Sequence, residues 1–333
     1  MPENFEHGYA LLIGVGAHSY PSWSLPVTVK DVNALRHVLT HRKHCAYPKD
    51  ERHMRLLWDE RATRANILAA LDNLAAAVAN DPDSTAVVYY TGHGYLQKNK
   101  QYFLVPHDAD PHRLAATALS AEEFTRKLRD IRAQRLLVIL DTCHAEGMAE
   151  AKDMPRGFSP KAFPEPLIEA LGRGNGRAVL SSCRSGESSW VLKDGTMSLF
   201  TKHLLEALKG AGNSPGETLV TVADLMKYVS REVQRSAKKL LGRQQEPFFK
   251  IEAGDFPVAL IPGGKQPGNS EQRTEDGQPA DVKRSVPCPD RRSGLTQANT
   301  TGAAGGITLG GMGQTVQGGI RISNTGKRDD TPD

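Results

Sequence analysis

The stretch from residue 263 to residue 333 contains not one Phe, Tyr or Trp, although it holds 14 of the chain's 31 glycines. A segment without aromatic anchors cannot build a packed core, so any globular unit belongs to the first 262 residues. Cysteine is scarce too. Cys45, Cys143, Cys183 and Cys288 show neither metal-ligand spacing nor a dense disulfide pattern, which excludes zinc-finger and disulfide-framework classes and suits a reducing cytoplasm. No apolar run approaches the roughly 18 residues of a membrane span. Met1 to Gly8 carries no basic segment followed by an apolar stretch, so no signal peptide is expected. The formal charge of +4 is small for 333 residues and demands no nucleic-acid partner. Lys238, Lys239 and Arg243 read as a solvated helix face. No glycine loop opens onto a helix as a phosphate cradle would. The expectation is a cytoplasmic protein with no membrane partner.

What is present is alternation. Tyr9 to Val15 reads as a strand and Val29 to about His41 as a helix with Val32, Leu35, Val38 and Leu39 on one face. A short strand follows at Met54 to Leu57. Thr63 is placed to cap a helix running to about Ala79, and Ser120 to cap one with Glu122 and Glu123 in its first turn. Tyr102 to Val105 is expected to pair back in a hairpin. Later elements are a short helix near Leu167 to Leu171, a strand at Ala178 to Ser181, helices at Phe200 to Leu208 and Val222 to Ser236, and a strand at Phe248 to Ile251. Strands alternating with helices predict right-handed crossovers and a mostly parallel sheet covered on both faces.

Two apolar runs within that pattern end in chemistry. Ala86 to Tyr90 leads into Thr91-Gly92-His93-Gly94, and Leu136 to Leu140 leads into Asp141-Thr142-Cys143-His144. Branched runs bounded by turn residues read as buried parallel strands, whose carboxyl ends collect the active residues of open α/β sheets. A thiol becomes a nucleophile once a base draws off its proton. His93 and Cys143 are the candidate pair, fifty residues apart, a spacing that resembles that of caspases, where a histidine stands about 50 residues before the cysteine.

From Tyr9 to about Ile261 the chain resembles the caspase-like cysteine peptidases, specifically their metacaspase or orthocaspase branch. The resemblance is carried by Asp141 to Gly147, Leu25 to Leu35, Tyr102 to Asp110, Leu180 to Glu187 and Ser198 to Leu208, in that family's order. The chain departs from the animal caspase signature in having Asp141 two residues before Cys143. The resemblance implies a caspase-haemoglobinase-like three-layer α/β/α sandwich with a mostly parallel sheet, followed by a non-globular C-terminal tail. It implies that Cys143 attacks, that His93 is base and later acid, and that the N–H groups of Gly94 and Cys143 form the oxyanion hole. Asp31 and Asp141 would line an acidic pocket suited to Arg or Lys, with Ser182 and Glu187 bordering it and Trp190 beside it. His107 and His112 read as surface residues.

The expected organisation is a peptidase domain over 1–262, with a large-subunit-like part at 1–150, a processing loop at 151–176 and a small-subunit-like part at 177–262. Lys152, Arg156, Lys161 and Arg173 are the candidate processing sites. A flexible linker is expected at 263–302 and a disordered end at 327–333. Between them, at 303–326, Ile307 and Leu309 alternate, as do Ile320 and Ile322, each pair introduced by Gly-Gly. This resembles the amyloid signalling motifs of bacterial immune effectors and implies a signalling receptor or self-assembly partner in prokaryotic defence or regulated cell death; a disordered glycine-rich tail is the competing reading. No metal site and no cofactor are expected, although some metacaspases need calcium. The partners are protein substrates. A catalytically silent scaffold on the same fold is the rival reading, and a different cysteine hydrolase, such as an acyl transferase, is a second.

Overall fold

The computed structural model describes residues 4–142, 156–252 and 254–265. All of them fall in the first of two units, Met1–Arg273; the second is Thr274–Asp333. Cys143, His144 and Lys152, and the tail from residue 266 onward, lie outside the described residues.

In chain order the elements are β1 (Gly8–Gly14), α1 (Val27–Leu39), β2 (Met54–Trp58), α2 (Arg64–Val78), β3 (Thr85–Gly92), β4 (Gly94–Gln97), β5 (Tyr102–Leu104), α3 (Leu114–Thr117) and β6 (Leu119–Ser120). Then come α4 (Ala121–Asp130), β7 (Arg135–Thr142), β8 (Phe158–Pro160), α5 (Glu165–Leu171), β9 (Arg177–Ser181), α6 (Leu199–Leu208), β10 (Leu219–Thr221), α7 (Val222–Ser236), β11 (Phe248–Ile251) and β12 (Pro257–Leu260). The main sheet has the order β11-β9-β7-β3-β1-β2, and only β11 runs antiparallel.

Every residue of β1 and β3 is buried, because helices cover both faces. On one face Leu12, Val87, Tyr89 and Ile139 pack against α1, α6 and α7 through residues such as Leu35, Phe200 and Val229. On the other, Leu11, Val88, Tyr90 and Val138 meet α2, α4 and α5 through Ile67, Phe124 and Ile168. The period-two alternation of each strand feeds both layers, and each fully buried large apolar side chain contributes on the order of 1.5–3 kcal/mol. This is the expected caspase-like three-layer α/β/α arrangement. The helices start where their caps require. Thr63 accepts from the Asn66 N–H, Ser120 from Glu123 N–H, and Thr221 and Asp224 form a reciprocal capping box.

Three features were not expected. The hairpin of β4 and β5 does not stay alone but lies in a separate antiparallel sheet of order β6-β5-β4-β8. Its strand β8 falls inside the stretch read as a polar loop, where Ala162 and Phe163 are fully buried. A small sheet, β10 with β12, was also not expected; strands this short leave no periodicity to read. Finally, α1 begins at Val27, two residues early, directly after Pro26 at its N-cap. Proline's fixed φ suits a helix start.

Candidate active site

Strands β3 and β7 pair in parallel register with Gly92 opposite Thr142. His93 and Cys143 are the next residues in each chain direction. His93 is buried, with its Nε2 2.8 Å from the Trp23 carbonyl. A carbonyl oxygen only accepts, so Nε2 carries the hydrogen, which leaves Nδ1 as the basic nitrogen of the neutral ring. The indole of Trp23 meets the imidazole edge-on at 6.3 Å and the ring of Tyr95 stacks on it at 5.8 Å. The backbone is held as well. The Val105 N–H donates to the His93 carbonyl (3.1 Å), and the buried Tyr90 hydroxyl lies 3.2 Å from the same oxygen. Burial pushes the Tyr90 phenol above its usual range, so it remains a donor.

Trp23 itself is presented by the loop after β1. Asp59, at a left-handed φ of 47°, accepts from the N–H groups of Gly16 and Ala17. His107, read as a surface residue, is half-buried and donates from Nδ1 to the Ala17 carbonyl at 2.8 Å. His18 is buried against Trp23, with ring centroids 5.1 Å apart. Its Nδ1 accepts from Tyr20 N–H, and burial, then the neighbouring His107, lowers its pKa to about 4.

On the other side of the sheet edge stand two fully buried carboxylates. Asp141 accepts from the hydroxyls of Ser189 (2.7 Å) and Ser198 (2.8 Å). Asp31, in the second turn of α1, accepts from the backbone N–H of that same Ser198 at 3.0 Å. Ser198 also caps α6 by accepting from Thr201 N–H. One residue therefore joins both acids. Burial first, and then Asp31 and Asp141, hold the Tyr89 phenol well above its ordinary value, as two nearby negative charges require. Gln245 closes the far side, donating to the Ser182 carbonyl (2.9 Å) and to Ser189 Oγ (3.3 Å). It accepts from Trp190 N–H. Glu187 is tied one residue further along, accepting from Glu246 N–H at 2.7 Å.

The Caspase domain family matches this chain over residues 7–254. The chain belongs to the caspase-domain family. Its relatives are caspase-like cysteine peptidases, which act on protein substrates. Among solved structures, the protein GSU0716 from Geobacter sulfurreducens is similar at 17% identity, covering 78% of this chain and 97% of its own, with a TM-score of 0.47. No curated protein matches.

Within this caspase domain, Gly94 begins β4 where no side chain fits. An added Cβ would lie 2.7 Å from Tyr102 Cζ, closer still to its hydroxyl, and 3.1 Å from the Lys161 carbonyl. Tyr102 donates to that carbonyl at 2.8 Å and lies 3.2 Å from Thr142 Oγ1, the residue before Cys143. Lys161 is thus bonded at both ends of its residue, since its N–H donates to the Gly94 carbonyl. Arg156 is exposed in a turn, and Arg173 is exposed shortly after α5. Cys183 is buried, its thiol 3.6 Å from the Glu187 carbonyl, and Cys45 is buried in the core. Among the described residues, no group of three or more His, Cys, Asp or Glu side chains is arranged to hold a metal ion, and no helix is long and apolar enough to cross a membrane.

The sheet edge brings together Asp31, Asp141, Ser182, His93 and Gly94. Sequence reasoning missed Trp23, Ser189, Ser198 and Gln245. Trp23 contributes a backbone carbonyl, which no side-chain pattern encodes. Ser198 had a readable signal, a serine directly ahead of an apolar helix.

Proposed function

We propose that the chain is a cysteine endopeptidase that cuts after Arg or Lys. His93 takes the Cys143 proton at Nδ1, the thiolate attacks the scissile carbonyl, and the N–H groups of Gly94 and Cys143 receive the oxyanion. The same proton passes to the leaving amine, and water, activated by His93, then hydrolyses the acyl-enzyme. Asp31 and Asp141, bordered by Ser182 and Glu187, attract the cationic side chain before the scissile bond and repel Asp or Glu. The observation that carries this reading is the pairing of Gly92 with Thr142, which supports a histidine and a cysteine side by side in sequence position at one edge, next to two buried acids. The deciding experiment is cleavage of a peptide library by the purified chain beside Cys143→Ala, with and without calcium. Turnover after Arg or Lys, lost in the variant, is expected. Cleavage after Asp would overturn the pocket, and no turnover under any condition would favour the scaffold.

The regulatory reading is that this peptidase works in the cytoplasm and is processed within 151–176, at Lys152, Arg156 or Arg173. Among the described candidates, Lys161 is less exposed than Arg156 and Arg173, and its backbone groups are already engaged. The 303–326 segment would recruit it to a defence or cell-death assembly, where clustering raises local concentration. A synthetic 303–326 peptide is expected to give cross-β diffraction; a peptide that stays monomeric sinks the recruitment idea.

A further inference from the structure

Among the described residues, strand β2 is the last strand of the main sheet and pairs only with β1. The Ala10 N–H donates to the His53 carbonyl. Since a parallel ladder turns alternate residues toward its neighbour, His53, Arg55 and Leu57 address β1. Met54, Leu56 and Trp58 turn their backbone groups to the open edge. The Met54 N–H is taken by the Asp50 carbonyl. Among the described residues, no strand sits where the Met54 carbonyl and both polar groups of Leu56 face.

A groove of about 420 Å³ runs beside this edge, between β2 and the neighbouring helices. Four cations line it, Arg36, Lys49, Arg55 and Arg61, against the single acid Glu51. Arg55 already holds Glu51 at 3.1 Å. Arg61 stacks over the Trp58 ring at 4.8 Å from its centroid, and Leu56 and Trp58 are only half-buried. The groove therefore concentrates positive charge on a chain whose formal net charge is only +4.

We propose that the β2 edge and its basic groove bind an extended acidic segment of a partner protein as an added strand. Main-chain hydrogen bonds would provide the affinity and the four cations the selection. A second copy of this chain fits poorly, because pairing two β2 edges would bring two grooves of the same positive charge together. A nucleic acid fits less well. Its phosphates match the cations, but they offer nothing to the outward carbonyls of Met54 and Leu56, whereas another strand supplies donors and acceptors together. The inference does not use His93, Cys143 or the acid pair, so it stands or falls separately from the proposed peptidase activity.

The test is fluorescence polarisation of the full chain with a labelled peptide of alternating Val and Glu, beside the same peptide with Gln for Glu; neither contains Arg or Lys. The Glu peptide is expected to bind at least tenfold more tightly, and to weaken at least tenfold between low and high salt. Arg55→Glu with Arg61→Glu should lose at least tenfold. Leu56→Pro removes an outward N–H while leaving the bonds to β1, and should lose a similar factor. Should Leu56→Pro fail to fold, hydrogen exchange of the wild-type chain reads the same point, since the peptide should slow the amides of 54–58. Equal binding of the two peptides, indifference to charge reversal, no slowing at 54–58, or stronger binding of an oligonucleotide that displaces the peptide would each overturn the proposal.

Discussion

At Gly94 one added carbon collides with a residue that has nowhere to go. Tyr102 is fully buried, packed edge-on against Phe163 at 4.9 Å and bonded to the Lys161 carbonyl. Gly94→Ala must therefore push β4 away from β5 or break that hydrogen bond, and overpacking of this kind costs about 1–3 kcal/mol. Because His93 precedes Gly94 and Thr142 touches Tyr102, the disturbance falls on both halves of the proposed dyad. The expected result is a lowered melting temperature and a loss of peptidase turnover well beyond the loss of stability. Tyr102→Phe in the same chain removes the closest atom and should recover part of the stability. If Gly94→Ala melts and turns over like the parent, the close approach described here is wrong.

Helix α6 shows how one element can serve two others. Its cap, Ser198, holds Thr201 at the helix start, donates to Asp141 at the end of β7, and gives its N–H to Asp31 on α1. Ser198→Ala keeps only the last of these. Losing the cap costs about 1 kcal/mol and shortening the donor supply of a buried carboxylate about 1–3 kcal/mol, so about 2–4 kcal/mol in total is expected by chemical denaturation. Ser189→Ala removes a donor to Asp141 without touching a helix cap and should cost less. Equal costs would show that capping contributes nothing at this position. The same element marks the limit of what sequence reading recovers. The strand of His93, the strand leading to Cys143 and the caps Thr63 and Ser120 were legible, because each lies in a periodic run or at a capping position, whereas Asp31 and Asp141 were singled out only through the resemblance to the caspase-like family. The loop that offers the Trp23 carbonyl was not, since a backbone oxygen leaves no mark on residue type. Gln245 was not either, being one of the polar run Arg243 to Glu246 between elements and more than fifty residues from the serines it joins. Strand β8 escaped because three residues ending in Pro160 carry too little alternation to stand out against a proline-rich stretch.

For the whole molecule, histidine burial sets a pH window of its own. His18 has a folded pKa of about 4 against an ordinary 6.5. Between those values the unfolded chain takes up a proton that the folded chain refuses, so stability falls as pH drops through this range. His44 shifts in the same direction, through burial and then the nearby His41 and Lys209. His7 shifts the other way, raised by its hydrogen bond to Asp81: its contribution is present below pH 6.5 and fades as pH rises through its folded value, but the side chain is largely exposed and the effect small. The carboxylates Asp50, Asp81 and Glu206, whose values are lowered in the fold, lose their contributions at more acidic pH, as they protonate. The stretch from about pH 6.5 down to about 4.5 therefore belongs mainly to the buried imidazoles, and a single group there can tilt stability by at most about 1.4 kcal/mol per pH unit. Thermal melts between pH 4 and 8 should show the wild-type chain losing stability on acidification through that stretch. His18→Phe keeps a ring against Trp23 but cannot take the proton. It will melt lower at pH 8, where the bond from Tyr20 N–H is lost, and yet show the shallower slope. A His18→Phe slope equal to that of the wild type would mean that His18 titrates normally, and that the loop carrying Trp23 is open to water.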